Sequence, residues 1–288
     1  MTLDWTPADV PPASPWVSAG WLTVRGVRLF VRMCGHGLPL LLLHGFTLSG
    51  DMWRHVAGSL GRLRTCIAVD QLGHGASSAP DQPDRYRMEE AVADFVALMS
   101  ALGHERFDCL GYSMGGRMAL GLAMAAPERV RSLVLESASP GLADPAARAA
   151  RRAHDEALAR WLASVGIAAF VDVWERQPLF ATQEGAPAAE RVRMRAIRLA
   201  QRPHGLACSL RGAGTGAQPS YWGRLAEWTS PVLLITGAKD EKFTRTAAAM
   251  AARLPAARHV VVPDAGHAVH LEQLAAYLAA VTSFLEGG

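Results

Sequence analysis

Short unbroken apolar runs alternate with longer segments of helical period along most of the chain. "LPLLLLHGF" (38–46), "TCIAVDQLGHG" (65–75), "VRSLVLES" (130–137) and "SPVLLITGAKD" (230–240) are apolar on successive residues, as strands covered on both faces must be. "WLTVRGVRLFVRM" (21–33) alternates apolar and polar on either side of Arg25-Gly26 and predicts a hairpin. Helical periodicity falls at 51–60, 88–101, 114–126, 244–253 and 269–285, and "ARHVVVPDAGH" (257–267) supplies a late strand. Alternating strands and helices predict a parallel sheet with helices on both faces.

This pattern lapses between residues 140 and 220, where "DPAARAARRAHDEALARWLASVGIAAFVDVWERQPLF" and "AAERVRMRAIRLAQRPHGLACSLRG" are helical in period. We therefore expect a core built from 21–139 and 221–288 and a helical lid at 140–220 over the carboxyl edge of the sheet, where open parallel sheets bind ligands. Residues 1–20 hold four prolines and no apolar stretch of signal-peptide length, and predict a loosely ordered extension of a cytoplasmic protein. No apolar stretch reads as long enough to span a membrane.

Composition adds little until arginine is considered. The 288 residues are 50% hydrophobic and carry a formal charge of +3, so nothing global points to nucleic acid. Cys34, Cys66, Cys109 and Cys208 are widely spaced and read as small buried side chains in a reducing compartment. Lys239 and Lys242 are the only lysines. Nearly all positive charge is thus arginine, a skew for which a genome-wide coding bias is the plainest alternative to a functional reading.

Candidate chemistry begins at "GYSMGG" (111–116), a GxSxG pattern between a strand-like and a helical run. The glycines let backbone pass close to a serine on a tight strand-to-helix turn. Ser113 needs a base, and the base an orienting acid, each following the serine in a loop after a late strand. His267 in "PDAGHAVH" and Asp240 after "VLLITG" fit that order. His270 and Glu136 are the weaker alternatives, Asp264 reads as a turn residue, and His44, His55 and His74 precede the serine. The N–H groups of Phe46, in the "HGF" loop, and of Met114 are expected to form an oxyanion hole, where each donor is worth roughly 2.7–4 kcal/mol. The same set of groups serves ester hydrolysis, and fold alone does not choose.

Arg117, one helical turn beyond Ser113, is out of place above an apolar ester but suited to holding a carboxylate. Arginines 148, 151 and 152, and 191, 193, 195 and 198, suit a solvated helical face equally well. Together, "GYSMGGRMAL", "SPGL" followed by "RAARR", "VDVWERQPLF", "GLACSLRGAGTGAQPS", "GAKDEKF" and "DAGHAVHLEQ" resemble the 2-succinyl-6-hydroxy-2,4-cyclohexadiene-1-carboxylate synthases, from about Leu38 to the C-terminus. The elbow arginine, the tryptophan before "QPLF" and "GTGAQPS" are the specific features.

This resemblance implies an α/β-hydrolase fold with a mostly parallel eight-stranded sheet, and a lyase of menaquinone (vitamin K2) biosynthesis. Its small-molecule substrate is a tricarboxylate from which pyruvate is eliminated, with no metal or organic cofactor. By motif match Arg117, Arg151 and Arg198 would hold carboxylates, with Arg195 the substitute for Arg198, and Tyr112 and Trp174 would shape the pocket. Ser113 would act as a base through His267 and Asp240. A serine hydrolase acting on esters, lactones or carbon–carbon bonds is the alternative, and a non-catalytic receptor of the same fold a more distant one.

Overall fold

The computed structural model describes residues 4–287. Its sheet has nine strands: β1 (Trp5–Ala8), β2 (Ser18–Val24), β3 (Val27–Cys34), β4 (Leu38–Leu43), β5 (Arg64–Val69), β6 (Phe107–Tyr112), β7 (Val130–Glu136), β8 (Val232–Gly237) and β9 (Ala257–Val262). They lie in the order β1-β2-β3-β5-β4-β6-β7-β8-β9, antiparallel from β1 to β5 and parallel from β5 onward. The β2–β3 hairpin turns at Arg25 and Gly26, with φ 48° and 80°, the mirror-image turn that matches strand twist.

The ninth strand is one more than expected and arises where a loose extension was predicted. Trp5 lies over Gly20 of β2, where any side chain would collide with its ring, so β1 seats flat on an edge position that only glycine leaves open. Trp16 is buried nearby and donates from its indole to Asp51 at 3.0 Å, fixing the rest of this segment. Residues 1–3 of the extension lie outside the described residues.

Side-chain alternation along the strands builds the two halves of the core. Leu41, Leu43, Ile67, Val69 and Leu234 point to one face, against α2 (Met88–Ala101) and α3 (Met114–Ala125). Leu40, Leu42, Cys66, Ala68 and Ile235 point to the other, against α1 (Arg54–Leu60) and a C-terminal helix. All four cysteines are buried free thiols.

Between β7 and β8 run α4 (Pro145–Trp174), α5 (Ala188–Leu199) and α6 (Pro203–Ala213); α7 (Glu241–Ala251) follows β8. The single terminal helix expected at 269–285 is two, α8 (Val269–Glu272) and α9 (Leu274–Glu286), broken at Gln273 where φ is −139°. The 30-residue α4 has a window of mean hydropathy 1.4 and is, contrary to the expectation from sequence, long and apolar enough by composition to cross a membrane. Here it packs on α6 and is kinked at Gly166, whose φ of 76° no other residue adopts cheaply.

Candidate active site

Ser113 occupies the one residue between β6 and α3, with φ 52° and ψ −108°. That conformation is strained for a residue with a side chain, and the sequence removes its neighbours' side chains to permit it. A Cβ on Gly111 would strike the backbone of Gly115, one on Gly115 the backbone of Leu43, and one on Gly116 would lie 2.6 Å from the Ala138 methyl. The turn is closed by Ser113 N–H donating to Glu136 O (2.9 Å) and Arg117 N–H donating to Ser113 O (3.1 Å). The hydroxyl is thereby presented at the carboxyl edge of the sheet.

His267 and Asp240 arrive there from the loops after β9 and β8. His267 Nε2 lies 3.0 Å from Ser113 Oγ, and its Nδ1 lies 2.7 Å from Asp240 Oδ2. The carboxylate accepts, so Nδ1 carries the proton and Nε2 is free to take one from the serine. Asp240 also caps α7, accepting from Phe243 N–H at 3.2 Å. The His267 loop is tied by Glu272, which accepts from the N–H groups of Gly266 (2.7 Å) and Ala268 (3.1 Å).

His270 and Glu136 pair with each other, not with the serine. His270 Nδ1 lies 2.8 Å from Glu136 Oε1, deep in the core behind Tyr112. Asp264 is in an exposed turn at φ 59°, against Lys239.

The "HGF" loop lies beside the elbow because β4 and β6 are neighbours in the sheet. Among the described residues neither Phe46 N–H nor Met114 N–H donates to a protein acceptor. His44 braces this loop: its Nδ1–H donates to Gly45 O (2.8 Å), while Nε2 accepts from Gln71 N–H (2.9 Å). Burial, helped by the Arg32 charge, lowers the His44 pKa to about 4. His74 packs edge-on against both His44 and Phe46, and burial and its neighbour His44 lower its pKa to about 3. Both rings are therefore neutral structural groups. His55 is half exposed and pairs with Glu190.

A cavity of about 590 Å³ opens above Ser113 and His267, floored by the sheet edge and roofed by α4, α5 and α6. Tyr112 and Trp174 line it, the tryptophan ring packing on Phe46 (5.4 Å) and Phe180 (5.7 Å). So do Arg117, Arg151 and Arg198, which the sequence spaces 34 and 47 residues apart. Arg117 Nη1 donates to Ala213 O (3.0 Å) and Gln218 Oε1 (2.5 Å), and among the described residues no carboxylate pairs with it. Burial lowers its pKa to about 10, Arg151 pushes the same way, and Asp155 opposes them.

Arg151 Nε is held by Asp155 (2.8 Å) and Arg198 Nη1 by Glu175 (2.9 Å). Arg195 turns away from the cavity to Glu175 and Asp172, so of the two lid arginines weighed from sequence only Arg198 lines the cavity. Arg148 and Arg152 tie the start of α4 to the carbonyls of Gln218 and Gly216.

Gln218, Asp155 and Glu175 are site residues that sequence reasoning missed. Asp155 had a signal, standing four residues from Arg151 on one helix face. Glu175 had none, lying 23 residues from its arginine. His154 and Lys242 also line the cavity. Among the described residues no group of three or more His, Cys, Asp or Glu side chains is set to hold a metal ion.

Comparison with known proteins identifies the family. Residues 39–274 match the α/β hydrolase fold family. The chain is 42% identical over 246 residues to a putative 2-succinyl-6-hydroxy-2,4-cyclohexadiene-1-carboxylate synthase of Bacillus subtilis, covering 85% of this chain and 89% of that protein. It is 31% identical to the synthase of that name from Serratia proteamaculans, covering 85% and 92%. The solved structure of MenH from S. aureus superposes with a TM-score of 0.84 at 31% identity, covering 90% of this chain and 98% of that one.

Proposed function

Since the chain belongs to the α/β-hydrolase fold family and, within it, to the 2-succinyl-6-hydroxy-2,4-cyclohexadiene-1-carboxylate synthases, we propose that its Ser-His-Asp site works by proton abstraction. The enzyme is a carbon–oxygen lyase of menaquinone biosynthesis. It converts 2-succinyl-5-enolpyruvyl-6-hydroxy-3-cyclohexene-1-carboxylate to 2-succinyl-6-hydroxy-2,4-cyclohexadiene-1-carboxylate and pyruvate.

One observation carries the assignment of the site: a partly buried arginine, Arg117, with no acidic partner among the described residues, stands one turn from Ser113 on the wall of the same cavity. Withdrawing a charge from water without a counter-ion is costly, and a ligand carboxylate offsets that cost. Arg151 and Arg198 present the remaining positive charge, which suits a substrate bearing three carboxylates. Tyr112 and Trp174 form the apolar walls for its ring. Residues 140–220 serve as the lid, and four free buried thiols suit a cytoplasmic enzyme.

The 3.0 Å and 2.7 Å contacts support a proton relay through this set. His267 Nε2 takes the Ser113 proton, and Asp240 steadies the imidazolium. Ser113 Oγ then removes the ring hydrogen at C2, alpha to the succinyl ketone. Negative charge gathers on the ketone oxygen, where the Phe46 and Met114 N–H groups stabilise an enolate. When the carbonyl re-forms, the electron pair makes C2=C3, the C3=C4 bond shifts to C4=C5, and the C5–O bond breaks. The leaving enolpyruvate gains a proton and becomes pyruvate.

Supplying the enolpyruvyl substrate and following pyruvate together with diene absorbance tests this reading. We expect both products in equal amounts, and loss of both in Ser113→Ala. Rapid hydrolysis of neutral aryl esters without any pyruvate release would overturn it.

A further inference from the structure

The three cavity arginines each lean on a second side chain, and those side chains differ in charge. Asp155 and Glu175, behind Arg151 and Arg198, are carboxylates. Behind Arg117 stands an amide, Gln218, from the "GTGAQPS" segment. Gln218 is 1% exposed, and its Oε1 accepts from Arg117 Nη1 at 2.5 Å. Turning the amide over would set NH₂ against the guanidinium, donor against donor, so the acceptor orientation is dictated by the arginine.

The slot around Gln218 is closely built. Its N–H donates to Gly214 O (3.0 Å), and its carbonyl accepts from Arg148 Nη2 (3.2 Å). Gly141, at φ 93°, packs so near that a Cβ there would lie 2.9 Å from Gln218 Nε2, and that nitrogen has no hydrogen-bond partner among the described residues. A glutamate has the same size and would be the stronger partner for a guanidinium. The chain carries the neutral isostere at the one of these three arginines that has no carboxylate partner among the described residues. Arg151 adds further positive potential, and the nearest acid, Asp155, is already bonded to Arg151.

We propose that Gln218 is a positioning residue for the anionic substrate: its amide aims the Arg117 guanidinium into the cavity and leaves the charge uncompensated for a ligand carboxylate. This deepens the functional reading above and rests on it for the identity of the ligand. A carboxylate at 218 would hold Arg117 equally well but would occupy the charge that the substrate needs. An apolar residue would leave the charge free but unaimed.

The test uses the full chain with Gln218→Glu and Gln218→Met, and three measurements: melting temperature without ligand, KM and kcat on the enolpyruvyl substrate, and the rate at which 2,3-butanedione modifies Arg117, followed by peptide mass mapping. Gln218→Glu is expected to melt at or above the wild-type temperature, because Arg117 gains a counter-ion. Its KM should rise about 10- to 100-fold with a far smaller change in kcat. Butanedione attacks the neutral guanidine, so modification of Arg117 should slow in Gln218→Glu while Arg151 and Arg198 react as before. Gln218→Met should also raise KM yet leave Arg117 at least as reactive as in the wild type. A Gln218→Glu protein that fails to fold, or one with wild-type KM and a wild-type rate at Arg117, overturns the proposal. If the wild type releases no pyruvate, the functional reading fails, while the melting and modification data still decide the role of Gln218.

Discussion

The sheet edge and the helical lid contribute to one cavity on different physical terms. Ser113, Asp240 and His267 follow β6, β8 and β9, strands hydrogen-bonded into one sheet through β7, and their loops are tied further by capping and by Glu272. Arg151 and Arg198 stand on α4 and α5, which belong to no sheet; ion pairs steady both, α4 packs on α6, and α5 packs on α4. Reactive groups that must meet within a few tenths of an ångström sit on the stiff frame. The arginines proposed to recognise the substrate's charge sit on the layer that differs most easily between proteins of one fold. Arg117 joins the two, rooted in α3 but bonded to Ala213 O and Gln218 from the lid side.

Removing the base breaks the comparison on the sheet side and should give the largest effect. Ser113→Ala is expected to lower kcat about 10³- to 10⁴-fold, within the range of general-base contributions or at its upper end, with the melting temperature little changed. Steady-state pyruvate release beside a thermal melt measures both.

Next in size is the junction residue. Arg117→Ala should lower kcat/KM about 100-fold, because a desolvated charge-assisted contact is lost, and Arg117→Lys should recover little of it, lacking the planar fork. Survival of full kcat/KM in either variant would detach Arg117 from substrate binding.

Acid sharpens the difference between frame and lid. His44 and His74 have folded-state pKa values near 4 and 3, below the unfolded value near 6.5. Between those limits the unfolded chain binds protons that the folded one does not, so stability is complete above about pH 6.5 and falls as pH drops toward 4. Each imidazole contributes on the order of 1–2 kcal/mol of loss by pH 5. Calorimetry from pH 7 to 5 should show Tm falling by several degrees, and His74→Gln should flatten that slope.

The smallest effects separate two lid arginines. Arg198→Ala should raise KM about tenfold, whereas Arg195→Ala, which removes a surface pair with Asp172 and Glu175, should change KM by less than about twofold. Equal effects would mean that Arg198 does not meet the substrate.

Much of the frame was legible because its signals are local. The run "LPLLLLHGF" ends in the loop proposed to hold the oxyanion, the GxSxG spacing marks the strained elbow, and Asp240 and His267 each follow a strand that periodicity locates. The helix expected at 88–101 spans Met88–Ala101 in the structure. Strand β1 escaped notice because four residues containing a proline carry no periodicity, and only the bare backbone of Gly20 reveals the seat they occupy. The lid was legible as helices but not as a surface, since an arginine-rich helix suits solvent and ligand equally.

What the sequence by itself determined is the order of strands and helices, the identity of the Ser113, His267 and Asp240 set, and the family to which the chain belongs, because each depends on spacing within a few residues or on motifs that survive along the chain. What only the tertiary structure decided is which charges remain unspent. Arg195 and Arg198 differ by three residues in sequence, yet one faces solvent-side acids and the other the cavity. Arg117 finds its backing partner 101 residues away, and that partner is an amide where its two counterparts are carboxylates. Charge compensation is a property of distance in space and of burial, neither of which is written in the order of residues.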